Sequence, residues 1–474
     1  MTLSRRSFLG TAAGALLGSA VAAPDGWAPR AAASGGGMAR ASPGGSLRAR
    51  PVPTPAQLAW QRDEFAMFVH FGMNTFTDRE WGDGTESPVL FDPPRLDAHQ
   101  WARTARAAGF RAMVLTAKHH DGFCLWPTRT TSHSVRSSPW RNGAGDVVRE
   151  FVDACRAEGL KPGLYCSPWD RNAPSYGDSP RYNDLYVEQL AELTTWYGPI
   201  HEVWFDGANG EGPNGRRHVY DWPRFFDVVR RRQPFAVVFS DAGPDVRWIG
   251  NETGSAGDPN WSMVDPSVVP FPGATGPGVI EQLQHGDPEG SAWRPGETDV
   301  SIRPGWFHHA SEDARVRPAE NLVDLFFTSV GRNSKLLLNV PPTAEGLLHA
   351  RDLAALAGMR RALDALFSED LAAGARVART LTGPRTALVE LDLGRAVEVG
   401  VVDLREDIAG GQSVVRYRAE GRHGDGAWRT LSEGITIGYR KLDCFEPVAV
   451  RAVRVTTEDG WGPPRPVAVG LYAR

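Results

Sequence analysis

Short apolar runs recur along the first three quarters of the chain, at residues 65–71, 112–117, 162–166, 203–205, 235–239 and 335–340. Between them lie stretches with helical spacing of apolar positions, at 97–108, 146–158, 183–197, 222–232 and 319–330. Strands that are apolar throughout need cover on both faces, as in a parallel sheet wrapped by helices. Six such units over about 300 residues predict an α/β fold, a (β/α)8-like barrel with room for irregularity, over residues 53–368. A doubly wound open sheet is the alternative, but no Gly-rich phosphate loop follows the first run.

After a helix ending near Leu366 the texture changes. Short alternating segments at 386–393, 397–404, 413–419, 435–439, 448–456 and 467–472 are punctuated by Gly, Asp and Pro. They predict a C-terminal β-sandwich over 372–474. A length of 474 residues suits two domains better than one.

The N-terminus reads as an address rather than as fold. Arg5-Arg6 precedes Ser7-Phe8-Leu9-Gly10 and an apolar run through Ala23, with no acidic residue before Asp25. Residues 1–33 therefore resemble a twin-arginine export signal of bacterial type, with an ordinary secretory signal as the alternative. The run is too rich in Ala and Gly to read as a membrane span. Residues 34–52 hold almost nothing to bury and are expected to be a disordered leader. The mature protein is expected outside the cell. Four Cys without a CxxC pair make neither a disulfide scaffold nor a thiolate zinc site.

A net charge of -4 argues against a nucleic-acid partner, which would need a basic face. The 16 Trp are crowded between Trp60 and Trp306, with Trp27, Trp428 and Trp461 the exceptions. The same segment places polar groups after successive strands. His70 follows the first, His119-His120-Asp121 the second, and Ser167, Trp169 and Asp170 the third; Asp206 and Asp241 follow the next two. In a barrel these positions share the C-terminal face, where such enzymes carry their sites. Carboxylates, polar groups and aromatic faces together suit a sugar.

Asp206 ends the apolar segment Glu202-Val203-Trp204-Phe205, and Gly207 clears space beside it. A carboxylate there suits attack on an anomeric carbon, or equally a cap on the next turn. The His119-His120 pair suggests either substrate hydroxyls or a metal, but neither HxH nor HExxH spacing occurs. His308-His309 reads as a surface or structural pair.

Met67-Phe68-Val69-His70-Phe71-Gly72, Glu80-Trp81, Lys118-His119-His120-Asp121-Gly122-Phe123 and Trp204-Phe205-Asp206-Gly207 occur in an order that resembles glycoside hydrolase family 29, the α-L-fucosidases. The resemblance covers residues 55–365 and implies a retaining exo-glycosidase that needs no metal or organic cofactor. Asp206 matches the family's nucleophile. His70, Glu80, Trp81, His119 and His120 match residues that hold fucose hydroxyls, and Trp306 an aromatic near the sugar's methyl group. Trp169 is a further carry-over near a motif that varies in the family.

The segment Val246-Arg247-Trp248-Ile249-Gly250-Asn251-Glu252 resembles the subgroup that cleaves α-1,3 and α-1,4 fucosyl linkages. By that resemblance Glu252 is the acid/base, and Arg247 lies near the nucleophile or the ring. Glu297, in Arg294-Pro295-Gly296-Glu297, is the competing acid/base. The implied partner is a fucosylated glycan. The rival functions are an exo-glycosidase of other sugar specificity and a non-catalytic carbohydrate-binding protein.

Overall fold

Eight parallel strands close into a barrel: β1 Phe65–Val69, β2 Ala112–Lys118, β3 Lys161–Cys166, β4 Glu202–Trp204, β5 Val237–Ser240, β6 Val246–Trp248, β7 Gly296–Ser301 and β8 Ser334–Asn339. Each strand pairs with its neighbours in sequence, and β8 closes on β1. The computed structural model describes residues 50–474. The expected export signal and nearly all of the expected leader lie outside the described residues. No helix among the described residues is long and apolar enough to cross a membrane.

Six of the eight strands coincide with the apolar runs; β6 and β7 do not. β6 is only three residues long. β7 reads Gly-Glu-Thr-Asp-Val-Ser yet is buried at every position: Glu297 accepts from the Trp204 indole at 3.3 Å, Asp299 from the Trp248 indole at 2.7 Å, and Thr298 bonds Ser334 at 2.6 Å. The run at 235–239 also shifts: Phe235 is 85% exposed, and the strand begins at Val237.

Helices α1 Ala98–Ala108, α2 Val147–Ala157, α3 Ser179–Trp196, α4 Trp222–Arg232, α5 Val279–His285, α6 Ala319–Ser329 and α7 Ala350–Leu366 follow in chain order. Asp97, Asp146 and Asp221 cap α1, α2 and α4 by accepting a backbone N–H three residues on. Such caps are worth about 1 kcal/mol each and define where the helices start. β5 and β6 break the alternation, being joined without a helix. The link folds back along β5, so that Asp245 N–H donates to Val238 O and Val238 N–H to the Asp245 carboxylate.

A short helix, Pro55–Gln61, lies at the N-terminal end of the barrel. Its Trp60 indole donates to Glu202 at 3.0 Å. Lys335 Nζ lies 3.1 Å from Glu202 and 3.8 Å from Glu297. Above this polar floor the interior is aromatic: Trp204 stacks on Phe239 at 4.1 Å, beside Phe68, Tyr165 and Trp248.

The C-terminal domain is an antiparallel sheet of β9 Arg376–Leu381, β10 Thr386–Arg405, β11 Val414–Arg422, β12 Trp428–Gly434, β13 Lys441–Asp459 and β14 Ala468–Tyr472. The order is β9-β10-β13-β11-β12, with β14 added on β10. The two segments expected at 386–393 and 397–404 are one strand with a register shift between Asp392 and Val397. Residues 435–439 form no strand. The sequence reading also missed β9 and β12, the outer strands of that order. β9 is exposed at all six positions and so carries no alternation to read.

This domain docks at the N-terminal ends of β1 and β8. Glu64, just before β1, bonds Arg405 at 3.1 Å and Arg440 at 2.9 Å. Asn333, just before β8, accepts from Tyr439 N–H at 2.8 Å.

Candidate active site

Asp206 lies two residues beyond β4 and is 2% exposed. One carboxylate oxygen accepts from Tyr165 Oη at 3.0 Å and the other from Ala208 N–H at 2.8 Å. His120 Nε2 is 3.9 Å from the first. Tyr165 points inward from β3, where its ring also meets His119 nearly parallel at 5.8 Å. Gly207 is a spatial requirement: a Cβ there would lie 2.3 Å from the Asp241 carboxylate and 2.8 Å from Gly273 N.

Three imidazoles stand near this carboxylate, and their hydrogen bonds assign the role of each Nδ1 atom. The Ser167 hydroxyl gives its one hydrogen to Trp169 O at 2.8 Å, so it accepts from His120 Nδ1–H at 2.7 Å. Asn339 donates to Ser301 Oγ and Trp306 O, so its carbonyl accepts from His70 Nδ1–H at 2.9 Å. Asn74 accepts from Gly82 N–H and donates to Glu80 O, so its amide also donates to His119 Nδ1 at 3.3 Å. Nδ1 of His70 and of His120 therefore carries a hydrogen, while Nδ1 of His119 accepts and leaves that ring's hydrogen on Nε2. Among the described residues no three His, Cys, Asp or Glu side chains are grouped to hold a metal ion.

Aromatic rings line both sides of this row. Trp306 lies 5.0 Å from His70, and Trp169 lies 4.8 Å from His120 and 5.8 Å from Trp81. Trp306 and Trp81 are half-buried, whereas Trp169 is buried and donates its indole N–H to Glu211 O at 3.0 Å. Glu80 is placed less directly than a plain hydroxyl contact. Its oxygens accept from Trp306 N–H at 2.9 Å and Phe307 N–H at 3.1 Å, though 30% of the side chain remains exposed.

Glu252 follows β6 on the same rim as Asp206 and is half-buried. Its turn is shaped by Gly250 at φ 82 and by Asn251, which accepts from Thr253 N–H and donates to Ser255 O.

Two expected site residues lie elsewhere. Arg247 alternates away from the interior, where Val246 and Trp248 point. Its guanidinium donates to Leu283 O at 3.1 Å, Asn260 Oδ1 at 2.7 Å and Arg294 O. Burial, with Arg294 adding to it, pushes its pKa down to about 9. Glu297 enters at the start of β7, in register with Lys335 and Trp248. It shares the barrel floor with Glu202, which precedes Asp206 by four residues of extended chain, about 13 Å at the usual rise. Burial, then the neighbouring Glu202 charge, holds the Glu297 carboxyl well above its ordinary range. It is a raised-pKa acid at the wrong end of the barrel.

Residues 74–365 match the family described as alpha-L-fucosidase. The chain belongs to the α-L-fucosidase family. Alpha-L-fucosidase 1 of Arabidopsis thaliana is 42% identical over 450 residues, covering 89% of this chain and 87% of the plant protein. A glycoside hydrolase 29 family member from an unknown rumen bacterium is 39% identical, with a TM-score of 0.82 over 90% of this chain and 78% of that one. A Ruminococcus gnavus GH29 fucosidase, solved in complex with fucose, is 31% identical with a TM-score of 0.81, covering 91% of this chain and 97% of that one. As an α-L-fucosidase the chain is a glycoside hydrolase that acts on fucosylated glycans, and its barrel with an antiparallel C-terminal sheet is that of its relatives.

The sequence reading did not assign Tyr165, Asn339, Asn74 or Trp248. Tyr165 and Trp248 occupy inward positions of strands, a signal that alternation carries once both ends of a strand are known. Asn339 and Asn74 act on His residues far from them in sequence, and no local pattern marks them.

Proposed function

We propose that this fucosidase removes terminal α-1,3- or α-1,4-linked L-fucose by double displacement with retention of configuration. The observation that carries this reading is the burial of Asp206 at the strand end, its two oxygens aimed by Tyr165 and Ala208 beneath the row of His70, His119 and His120. Asp206 attacks the anomeric carbon while Glu252 gives its proton to the departing oxygen, and a fucosyl ester forms. Glu252, now ionised, takes a proton from water as that water attacks the same carbon and releases Asp206. A retaining pair of this kind is spaced about 5–5.5 Å apart.

The imidazoles and Glu80 hold the hydroxyls, and Trp306 offers an apolar face to the fucose methyl. A methyl contact alone discriminates by only about 1–3 kcal/mol, so the hydroxyl contacts carry the remaining selectivity. The linkage preference is supported by the segment Arg247–Glu252, and export by Arg5-Arg6 and the apolar run behind it.

Asp206→Ala should abolish release of fucose without loss of fold; near-normal turnover would overturn the nucleophile. Azide should restore turnover of an aryl fucoside to Glu252→Ala but not to Glu297→Ala. NMR of the first-formed fucose anomer separates retention from inversion. Preference for α-1,2 or α-1,6 oligosaccharides would refute the linkage. Export of a reporter fused to residues 1–33 should stop when Arg5 and Arg6 both become Lys.

A further inference from the structure

The sequence pattern leaves His309 as a bland member of a histidine pair, and the reaction above does not use it. The structure gives it a specific place. The residue is buried, its side chain 11% exposed, with Nδ1 2.6 Å from Asp78 Oδ1 and Nε2 2.7 Å from Glu80 Oε1. Ionised carboxylates only accept, so each ring nitrogen must carry a hydrogen, and the ring is an imidazolium. Glu80 in turn receives the Trp306 and Phe307 backbone N–H groups. Gly305 allows the loop to lie this close: a Cβ there would sit 2.5 Å from Glu80, 3.0 Å from His309 and 3.2 Å from Glu312.

We propose that His309 is a positioning residue of the fucose site, bridging Asp78 to Glu80 and so holding the Trp306–Phe307 backbone against His70. The proposal rests on the reading of Trp306 and Glu80 as sugar contacts and adds what fixes them. Asp78 and Glu80 are the charges that face the ring, and Glu312 lies just beyond Gly305, which donates to it at 2.9 Å. The other nearby charges are engaged elsewhere: His308 faces Asp313 at 3.4 Å, and Arg79 faces Asp83 at 3.0 Å. The Glu80 hydrogen bond, opposed by burial and aided by Asp78, raises the His309 pKa to about 9. The bridge is therefore complete at neutral pH and is lost as pH rises through about 9.

The test uses the full-length enzyme. In 15N-histidine NMR of the wild type, His309, identified by its absence in His309→Gln, should carry both ring protons at pH 7.5 and titrate near 9. A neutral His309 at pH 7.5 overturns the proposal, and this readout does not depend on the enzyme's substrate. In kinetics on an aryl fucoside, wild-type kcat/KM should fall more steeply above pH 9 than ionisation of Glu252 alone allows, and His309→Gln should lack that extra fall. His309→Ala should lower kcat/KM by up to roughly 100-fold, the scale of an ångström of misplacement, and His309→Gln should recover part of the loss. An unchanged alkaline limb in His309→Gln overturns the proposal. A wild type that releases no fucose would instead overturn the catalytic reading, and the titration would still decide the bridge.

Discussion

Tyr165 donates its phenolic hydroxyl to the Asp206 carboxylate at 3.0 Å, across two adjacent barrel strands. Tyr165 pairs in register with Trp204, and Asp206 stands two residues further along. The parallel register therefore sets the phenol against the carboxylate. Tyr165→Phe removes the hydroxyl and keeps the ring that packs on His119 and Trp204. A hydrogen bond to a charged group is worth about 1.5–3 kcal/mol. The variant should lose roughly 10- to 100-fold in kcat/KM while its thermal unfolding stays close to that of the wild type. Activity within twofold of wild type would show that the phenol does not set the Asp206 carboxylate.

The barrel floor makes a contrasting prediction. Burial alone would lower the Lys335 pKa, but Glu202 and Glu297 outweigh it and hold the ammonium above its ordinary value. Lys335→Ala strips the floor of its cation and should destabilise the fold by about 3–5 kcal/mol in urea unfolding. Glu297→Gln replaces a carboxyl already held toward its neutral form. It should fold and retain activity within a few-fold, whereas a Glu297 acting as acid/base would lose most of its turnover.

Asp121 is buried behind the His119-His120 pair, with Phe123 N–H donating to it at 2.8 Å. Burial, with the nearby Glu86 charge adding to it, pushes its carboxyl up to about 7. The folded-state pKa is raised, so the folded protein holds this proton more tightly than the unfolded chain. The resulting stability is full below about pH 4 and is lost as pH rises through about 7. Asp121→Asn should flatten the fall in Tm between pH 5 and 8. A slope equal to that of wild type would place the titrating group elsewhere.

Gly207→Ala tests the packing beside Asp206. The added methyl meets the Asp241 carboxylate at 2.3 Å and the Gly273 backbone at 2.8 Å, so something must shift. Overpacking of this kind costs about 1–3 kcal/mol. The variant should lose activity by more than tenfold with a modest fall in Tm, and wild-type kinetics would show that the loop carrying Gly273 yields freely.

Much of this site is legible because a barrel sends the residue after each strand to one face. His70, His119, His120 and Asp206 could be named from their place behind apolar runs. Arg247 and Glu297 could not, because their roles turn on which way a strand side chain points and at which end of the strand it lies. β6 is three residues long and β7 is full of polar residues. Without those strands in view, neither the direction of Arg247 nor the depth of Glu297 is defined. The C-terminal sheet failed in the same manner at β9 and β12, which lack a neighbour on one side.

Sequence by itself determined the alternation of strand and helix, the change to short β-segments after Leu366, and the identity of the carboxylate behind β4. These follow from hydrophobic periodicity and chain punctuation, which act over a few residues. Tertiary structure decided what the Nδ1 atoms of three histidines bond to, the pairing of Tyr165 with Asp206, and the bridge from Asp78 through His309 to Glu80. Each joins groups brought together only when the barrel closes. A hydrogen bond that spans more than two hundred residues, as between His309 and Glu80, leaves no mark in local pattern.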